Sequence, residues 1–241
     1  MQDREIFKSL LIPEKGKDRK NKLPYTNVEV RLIQRACFDS DDDVRWIVAI
    51  LSDTGMRMAE AVAIRVEDLV LDGQYPHVIL KEFEVRSLKT APSTRLVLLV
   101  GTALWAAKRA QKGTNKGFLF PRYINLNASP PENLAVHASN TINKWLDGLQ
   151  IEDKDKKTSH CLRHSMQDRL REAEVPQEIR NSILGWTNKG TGACYGTGFS
   201  IRVLHEHMSK VVGDVPIRPQ AVSLYRQSQT VCRPQRSSST M

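Results

Sequence analysis

The spacing of apolar residues changes twice along this chain, and that change most limits the folds open to it. Between residues 27 and 69 apolar side chains recur every three or four positions, as on one face of an α-helix. Between residues 75 and 100 they form short runs broken by polar residues, which is typical of strands and turns. Helical spacing resumes at residue 102. The pattern predicts an α+β fold, mostly helical, with one small three-stranded antiparallel sheet.

The individual elements follow from the same spacing. Helices are predicted at 27–38, 41–55, 57–69, 102–112, 132–149, 158–174, 176–185 and 200–212. Strands are predicted at 75–83, 84–90 and 94–100. The aspartates at 41–43 suit a helix start, and Gly55 suits a helix end. The last helix carries an apolar stripe that we expect to dock on a neighbouring protomer on DNA: Ile201, Leu204, Met208 and Val211.

Composition divides the chain into three parts. Residues 1–24 end in a polar, basic run, which is either a solvated linker or an arm lying along a phosphate backbone. Residues 25–212 carry the helical and strand patterns and are predicted to form one domain. Residues 213–241 are rich in Pro, Gln, Ser and Arg, a composition that predicts a disordered tail.

The charge balance suggests the class of partner. Lys and Arg number 36 against 27 acidic residues, giving a net charge of +9 and a pI near 9.5. Clustered basic side chains attract polyanions, so nucleic acid is the favoured partner. No signal-peptide core and no apolar run of about 20 residues is present, so we expect a cytoplasmic, nucleoid-associated protein without membrane contact. The cysteines form no CxxC pair, which argues against a zinc finger or redox motif: Cys37, Cys161, Cys194 and Cys232.

The segment 158–175 carries reactive side chains at helical spacing. His160, Arg163 and His164 are predicted to share one face with Gln167 and Arg171, opposite an apolar face. An ordinary solvated face has that pattern, and so does a phosphate site, where arginine supplies paired N–H groups and histidine exchanges a proton. The two histidines have the spacing of a zinc-protease helix, but no glutamate accompanies them, so no metal site is predicted.

A single tyrosine stands in a window unusually rich in glycine. Five of the chain's 13 glycines lie within residues 184–199, around Tyr195. Glycine makes several backbone conformations accessible, so the window suits a side chain that must move into place. The window does not match a nucleotide-binding P-loop, because Thr191 follows Gly190 where that motif has lysine.

Five motifs occur in an order that resembles the catalytic domain of tyrosine recombinases, the phage integrase family. They are TGMRMAEAVAIRVEDL from residue 54, SLKTAPSTRLVLL from 87, HCLRH from 160, LGW from 184 and GACYG from 192. The resemblance covers residues 25–212. It implies a catalytic set of Arg57, Lys89, His160, Arg163, Trp186 and Tyr195, supported by Glu60 and His164. Trp186 stands where many members have histidine.

The resemblance also implies a reaction. Tyr195 attacks a DNA phosphodiester to give a 3′-phosphotyrosine, with His160 as base, Lys89 as general acid, and Arg57, Arg163 and Trp186 around the phosphate. No metal, ATP or other cofactor is expected. The expected partner is a double-stranded DNA recombination site, bound by a tetramer that is monomeric off DNA, with accessory DNA-bending proteins possible.

Two other functions stay open at this point. A type IB topoisomerase-like enzyme would share the arginines, lysine and tyrosine and would relax DNA without sequence choice. A catalytically inactive DNA-binding relative is the other alternative. Because only about two dozen residues precede the predicted domain, we expect an isolated catalytic domain or a naturally short member.

Overall fold

In the computed structural model, the described residues are 22–86, 94–114, 116–188 and 198–213. Their helices are α1 (Asn27–Ser40), α2 (Asp43–Thr54), α3 (Met58–Val62), α4 (Gly101–Lys112), α5 (Ala135–Leu146), α6 (Cys161–Glu172), α7 (Gln177–Leu184) and α8 (Ile201–Val212). Their strands are β1 (Leu69–Val70), β2 (His77–Leu80), β3 (Arg95–Leu98), β4 (Ile124–Asn125) and β5 (Glu132–Asn133). The predicted α+β, mostly helical fold is confirmed. Among the described residues, none of the helices has the length and apolar content to cross a membrane.

Local capping explains where the first two helices begin and end. The Thr26 hydroxyl accepts from the backbone N–H of Glu29, whose carboxylate accepts from the Thr26 N–H, forming a capping box before α1. The Asp42 carboxylate accepts from the N–H of Arg45 at the start of α2. Gly55 ends α2 with a left-handed backbone, φ 65°. The predicted helix start among residues 41–43 and helix end at Gly55 are confirmed.

The three-stranded antiparallel sheet is confirmed, although one of its strands is not the predicted one. β2 lies between β1 and β3, with Leu69 opposite Val78 and Leu80 opposite Arg95. The prediction of a strand at 84–90 is wrong for its described residues, because Phe83 and Arg86 exchange backbone hydrogen bonds and close a turn there.

The predicted helix over 57–69 is wrong beyond Val62. The Ile64 carbonyl accepts from Leu119 and the Val66 N–H donates to the Gly117 carbonyl, so these backbone groups pair with another segment instead of continuing the helix. A 3-10 turn at Val66–Asp68 then leads into β1. Similarly, α5 begins three residues after its predicted start, because β5 pairs with β4.

Two apolar clusters form the core. The larger one joins α1, α2, α4 and α5 and includes the first turn of α6. The smaller one joins β3, α6, α7 and α8, and it contains Met166, Leu204 and Met208. Leu204 and Met208 are 6% and 1% exposed, so the stripe on α8 packs within its own chain. The expectation that this stripe docks on a neighbouring protomer concerns the DNA-bound assembly and stays a prediction.

Candidate active site

Arg57 lies at the start of α3 and is held by the buried Glu60. The backbone N–H of Arg57 donates to Glu60 Oε2 at 2.8 Å, and its Nη1 donates to Oε1 at 2.7 Å. The Arg57 side chain is 26% exposed, whereas that of Glu60 is 3% exposed. The Glu60 carboxylate therefore holds both the backbone N–H and the guanidinium of Arg57, and the Arg57 guanidinium still reaches solvent.

Arg163 is buried, 6% exposed, so the reading of its helix face as an ordinary solvated surface does not hold for this residue. Its Nη1 donates to the Gly55 carbonyl at 2.6 Å, and its Nη2 donates to the Leu184 carbonyl. These carbonyls lie at the C-terminal ends of α2 and α7, where helix dipoles concentrate negative charge. The guanidinium carbon lies 5.4 Å from the centre of the Trp186 ring. Two helix ends and an aromatic ring thus accommodate this buried cation.

His160 immediately precedes α6, one helical turn from Arg163. The Ser159 N–H donates to Asn143 Oδ1 at 2.8 Å, which ties this turn to α5. The ring centre of His160 lies 5.1 Å from that of His164 in an edge-on arrangement. Desolvation lowers the pKa of His160, and the neighbouring charges of His164, Arg163 and Arg57 lower it further. A lowered pKa favours the neutral imidazole at neutral pH, the form that accepts a proton.

Arg95 is a residue at this site that the sequence prediction missed. It begins β3, and its Nη2 and Nη1 lie 3.1 and 3.3 Å from the two carboxylate oxygens of Glu60. Its Nε donates to the Ile183 carbonyl at 3.0 Å, and its side chain is only 6% exposed. The signal was present: one arginine opens the otherwise apolar run RLVLLV, where a charge must be paired if the strand is buried.

Gly185 allows α7 to end against this arginine. Its backbone is left-handed, φ 66°, and a Cβ there would lie 2.7 Å from Arg95 Nη1. Trp186 follows, with its backbone N–H donating to the Asn181 carbonyl at 2.9 Å. Its half-buried ring packs against the smaller core cluster. The glycine of LGW is therefore required by close packing as well as by backbone angle.

We call Glu60 and the three arginines around it the Glu60 cluster: Arg57, Glu60, Arg95 and Arg163. Burial lowers the pKa of Arg163 to about 10, and the charges of Arg57 and Arg95 act in the same direction while Glu60 opposes them. Burial also opposes ionisation of Glu60, but Arg95 and then Arg57 outweigh it and lower the pKa of that carboxyl. Three guanidiniums around one carboxylate favour an additional anion with several oxygens, such as a phosphodiester.

The structure brings together six of the eight predicted site residues. Arg57, Glu60, Arg163 and Trp186 meet at the Glu60 cluster, and the two histidines lie at the adjacent end of α6. Lys89 and Tyr195 lie outside the described residues. Within the described ranges, His, Cys, Asp and Glu side chains form no group of three or more that could hold a metal ion.

Solved structures of similar fold are recombinases. XerA recombinase matches with a TM-score of 0.50 and 17% identity over 78% of this chain and 59% of its own. The Tn1549 transposon integrase, in complex with transposon right end DNA, matches with a TM-score of 0.51 and 18% identity over 81% of this chain and 68% of its own. The present chain thus spans 59% of the XerA chain. No curated protein sequence matches it.

The sequence model of the phage integrase family matches residues 26–197, which is most of the chain and includes every predicted site residue. The mostly helical fold with its small antiparallel sheet agrees with the tyrosine recombinases just described. This chain belongs to the phage integrase family, that is, to the tyrosine recombinases.

Proposed function

We propose that this chain is a site-specific DNA recombinase that cuts and rejoins strands through a phosphotyrosine at Tyr195. The observation that supports this most is the Glu60 cluster, where Arg57 is held by Glu60 and Arg163 by two helix-end carbonyls, near enough to His160 that the charges of both arginines help lower the pKa of its imidazole. A transferring phosphoryl group gathers negative charge on its non-bridging oxygens. Guanidiniums already held in place stabilise that charge without reorganising.

The cleavage step needs two proton transfers. Tyr195 Oη attacks phosphorus, its proton passes to His160, and the bond from phosphorus to the 5′-oxygen breaks. A phenol of ordinary pKa, about 10, is a poor nucleophile at neutral pH, so a neutral imidazole nearby is the suitable acceptor. Lys89 gives a proton to the departing 5′-oxygen, and the Trp186 indole N–H donates to the phosphate. The phosphotyrosine is itself a phosphodiester, so the energy of the broken bond is kept. A second 5′-hydroxyl can therefore reverse the step without metal or ATP.

The proposed partner is a double-stranded recombination site. The Tn1549 integrase structure contains transposon-end DNA, and the net charge of +9 on the present chain suits such a polyanion. We extend the proposal to a tetramer on DNA, formed from monomers, with accessory bending proteins. Its proposed place of action is the cytoplasm, in association with the nucleoid.

Covalent capture tests the proposal without knowing the DNA site. The 241-residue chain is incubated with a pool of nicked duplexes of randomised sequence, in which a cleaved fragment diffuses away and traps the phosphotyrosine. We expect denaturation-resistant adducts that carry one shared sequence, are unaffected by EDTA, and disappear in Tyr195→Phe while DNA binding persists. Adducts of random sequence, together with relaxation of any supercoiled plasmid, would instead support the topoisomerase-like alternative. Binding without any adduct would support the inactive relative.

The role of Lys89 has its own test on the captured sequence. Lys89→Ala should cleave slowly, and replacing the 5′-oxygen by sulfur should restore its rate, because a thiolate leaves without being protonated. Arg163→Ala should gain nothing from sulfur, because its proposed role is to stabilise charge on the phosphate. Equal rescue of both variants would contradict this division of roles.

A further inference from the structure

Arg95 touches both chain segments that carry the phosphate-binding side chains. Through Glu60 it reaches α3, whose first residue is preceded by Arg57. Through the Ile183 carbonyl it reaches the last turn of α7, directly before Gly185 and Trp186. No other described side chain has hydrogen bonds to both Glu60 and the end of α7. One buried side chain on the sheet therefore ties together two helices that belong to different parts of the sequence.

The same contacts extend to Arg163. Its Nη2 donates to the carbonyl of Leu184, the residue immediately after the one whose carbonyl accepts from Arg95 Nε. The end of α7 is thus clamped between two guanidiniums on consecutive carbonyls. A shift of Arg95 would move this turn, and Arg163 with it.

Gly185 closes the contact from the other side. A Cβ at residue 185 would lie 2.7 Å from Arg95 Nη1 and 2.9 Å from its guanidinium carbon. The loop that leads to Trp186 therefore packs directly on the face of the Arg95 guanidinium. Its position depends on where that guanidinium lies.

We infer that Arg95 is a positioning residue for phosphoryl transfer, which sets the distance between Arg57 on α3 and the Arg163 and Trp186 pair at the end of α7. The inference rests on the function proposed above. Arg95 acts through Glu60 and the Ile183 carbonyl and is not assigned a contact with DNA. Misplacing catalytic groups by about 1 Å costs roughly a hundredfold in rate, so the loss should appear in the chemical step.

The experiment separates positioning from mere support of the fold. Single-turnover adduct formation is measured at saturating nicked DNA for the wild type, Arg95→Gln and Arg95→Lys, well below each melting temperature. We expect both variants to cleave about ten- to a hundredfold more slowly. The dissociation constant for DNA should change by less than about threefold, because Arg95 is buried. Lysine keeps a cation beside Glu60, so Arg95→Lys should remain folded even where Arg95→Gln does not, yet it lacks the planar fork that spans both partners.

Arg86→Gln is the matched control. Arg86 is also a buried arginine paired with a buried carboxylate, Asp68, but its other hydrogen bonds go to the carbonyls of Lys81 and of Ala63 at the far end of α3, and none of them reaches the end of α7. It should lower the melting temperature and leave the cleavage rate of the folded protein unchanged. If Arg95→Lys and Arg95→Gln behave like Arg86→Gln, with loss of stability alone, the positioning role is overturned.

A double-mutant cycle with Gly185→Ala provides a second, independent readout. The strain of alanine at a positive φ is present in both backgrounds, whereas the collision with Arg95 disappears when the arginine is shortened. Gly185→Ala should therefore slow cleavage much more in the wild type than in Arg95→Gln, and purely additive effects would contradict the packing argument. A wild-type chain that forms no adduct would defeat the proposed function itself. An active wild type beside equally active Arg95 variants would defeat the inference alone.

Discussion

Two buried carboxylates eight residues apart, Glu60 and Asp68, each pair with an arginine of the sheet region, but their surroundings differ. Asp68 accepts from Arg65 at 2.9 Å and from Arg86 at 2.8 Å, and Glu67 gives Arg65 a second acidic partner. Arg86 completes its hydrogen bonds with the carbonyls of Lys81 and Ala63. Both guanidiniums lie over the ring of Phe83. Two cations therefore face two carboxylates around a central Arg86–Asp68 pair that is closed to solvent. We call this group the Asp68 cluster: Arg65, Glu67, Asp68 and Arg86.

The Glu60 cluster has more positive charge, and one of the arginines that pairs with its carboxylate reaches solvent. Among the described residues, Arg57 and Arg95 both pair with Glu60, and Arg163 adds a third guanidinium held by helix-end carbonyls. Arg57 is 26% exposed, whereas Arg86 is 1% exposed. Burying an uncompensated charge is unfavourable, so a balanced, closed pair is what a structural role requires. An excess of cations that reaches solvent is what an anion site requires. The comparison suggests how to assign a role to a buried arginine. An arginine whose charge is balanced and shielded from solvent supports the fold, whereas one in a solvent-accessible excess of cations can bind an anion.

The largest effect is expected for Arg163→Ala, which removes a cation from the Glu60 cluster. Loss of one preorganised donor at a charged transition state costs about a hundred- to a thousandfold in rate. Single-turnover adduct formation at saturating DNA, below the melting temperature of the variant, measures this. A rate within a few-fold of the wild type would show that Arg163 serves the fold and would remove the distinction between the clusters.

Arg86→Met tests the Asp68 cluster in the same way, and its effect should fall on stability. Removing one partner of a buried ion pair costs about 3 kcal/mol or more, because the remaining charge stays buried. Urea unfolding should report that loss in the free energy of unfolding, while the cleavage rate of the folded protein stays at the wild-type value. Loss of cleavage without loss of stability would reverse the assignment of the two clusters.

A smaller effect is expected on the pH dependence of cleavage. After desolvation, the electrostatic interaction with His164 is the next cause that lowers the pKa of His160, so His164→Asn should raise that pKa towards its ordinary value. A base works only when deprotonated, so the acid limb of the pH–rate profile should move to higher pH by a fraction of a unit. His205→Asn on α8, where His205 packs against Tyr75, is the control and should leave the limb in place. A limb that stays fixed or moves to lower pH in His164→Asn would argue against His160 as the base.

Local sequence signals predicted much of the fold, because the capping residues of the first helices determine where those helices begin and end. The capping box at Thr26 and the left-handed Gly55 need only neighbouring residues. β1 was missed because the backbone groups of Ile64 and Val66 pair with residues 117–119, about fifty positions away in the chain. Spacing along one helix cannot reveal such partners.

The site shows the same limit. Arg163 has the spacing of a solvated helix face, and only the ends of two other helices make its burial possible. In the sequence, Arg95 is simply a charged residue at the start of a strand. Its role becomes visible only from its hydrogen bonds to Glu60 and to the Ile183 carbonyl, which are distant in the chain. The motifs that resemble the family supplied Arg57 and His160, whereas the partners that fix them come from tertiary contacts.

The central claim is that the Glu60 cluster binds a DNA phosphate for attack by Tyr195. Peptide mapping of the trapped adduct tests it most directly. Tyr25 and Tyr123 are 5% and 1% exposed, and burial raises the pKa of both, so neither suits attack on DNA. We predict that the nucleotide is attached to Tyr195 alone and that attachment falls with Arg163→Ala but not with Arg86→Met. DNA attached to Tyr75 or Tyr225, or equal loss in both arginine variants, would contradict the account.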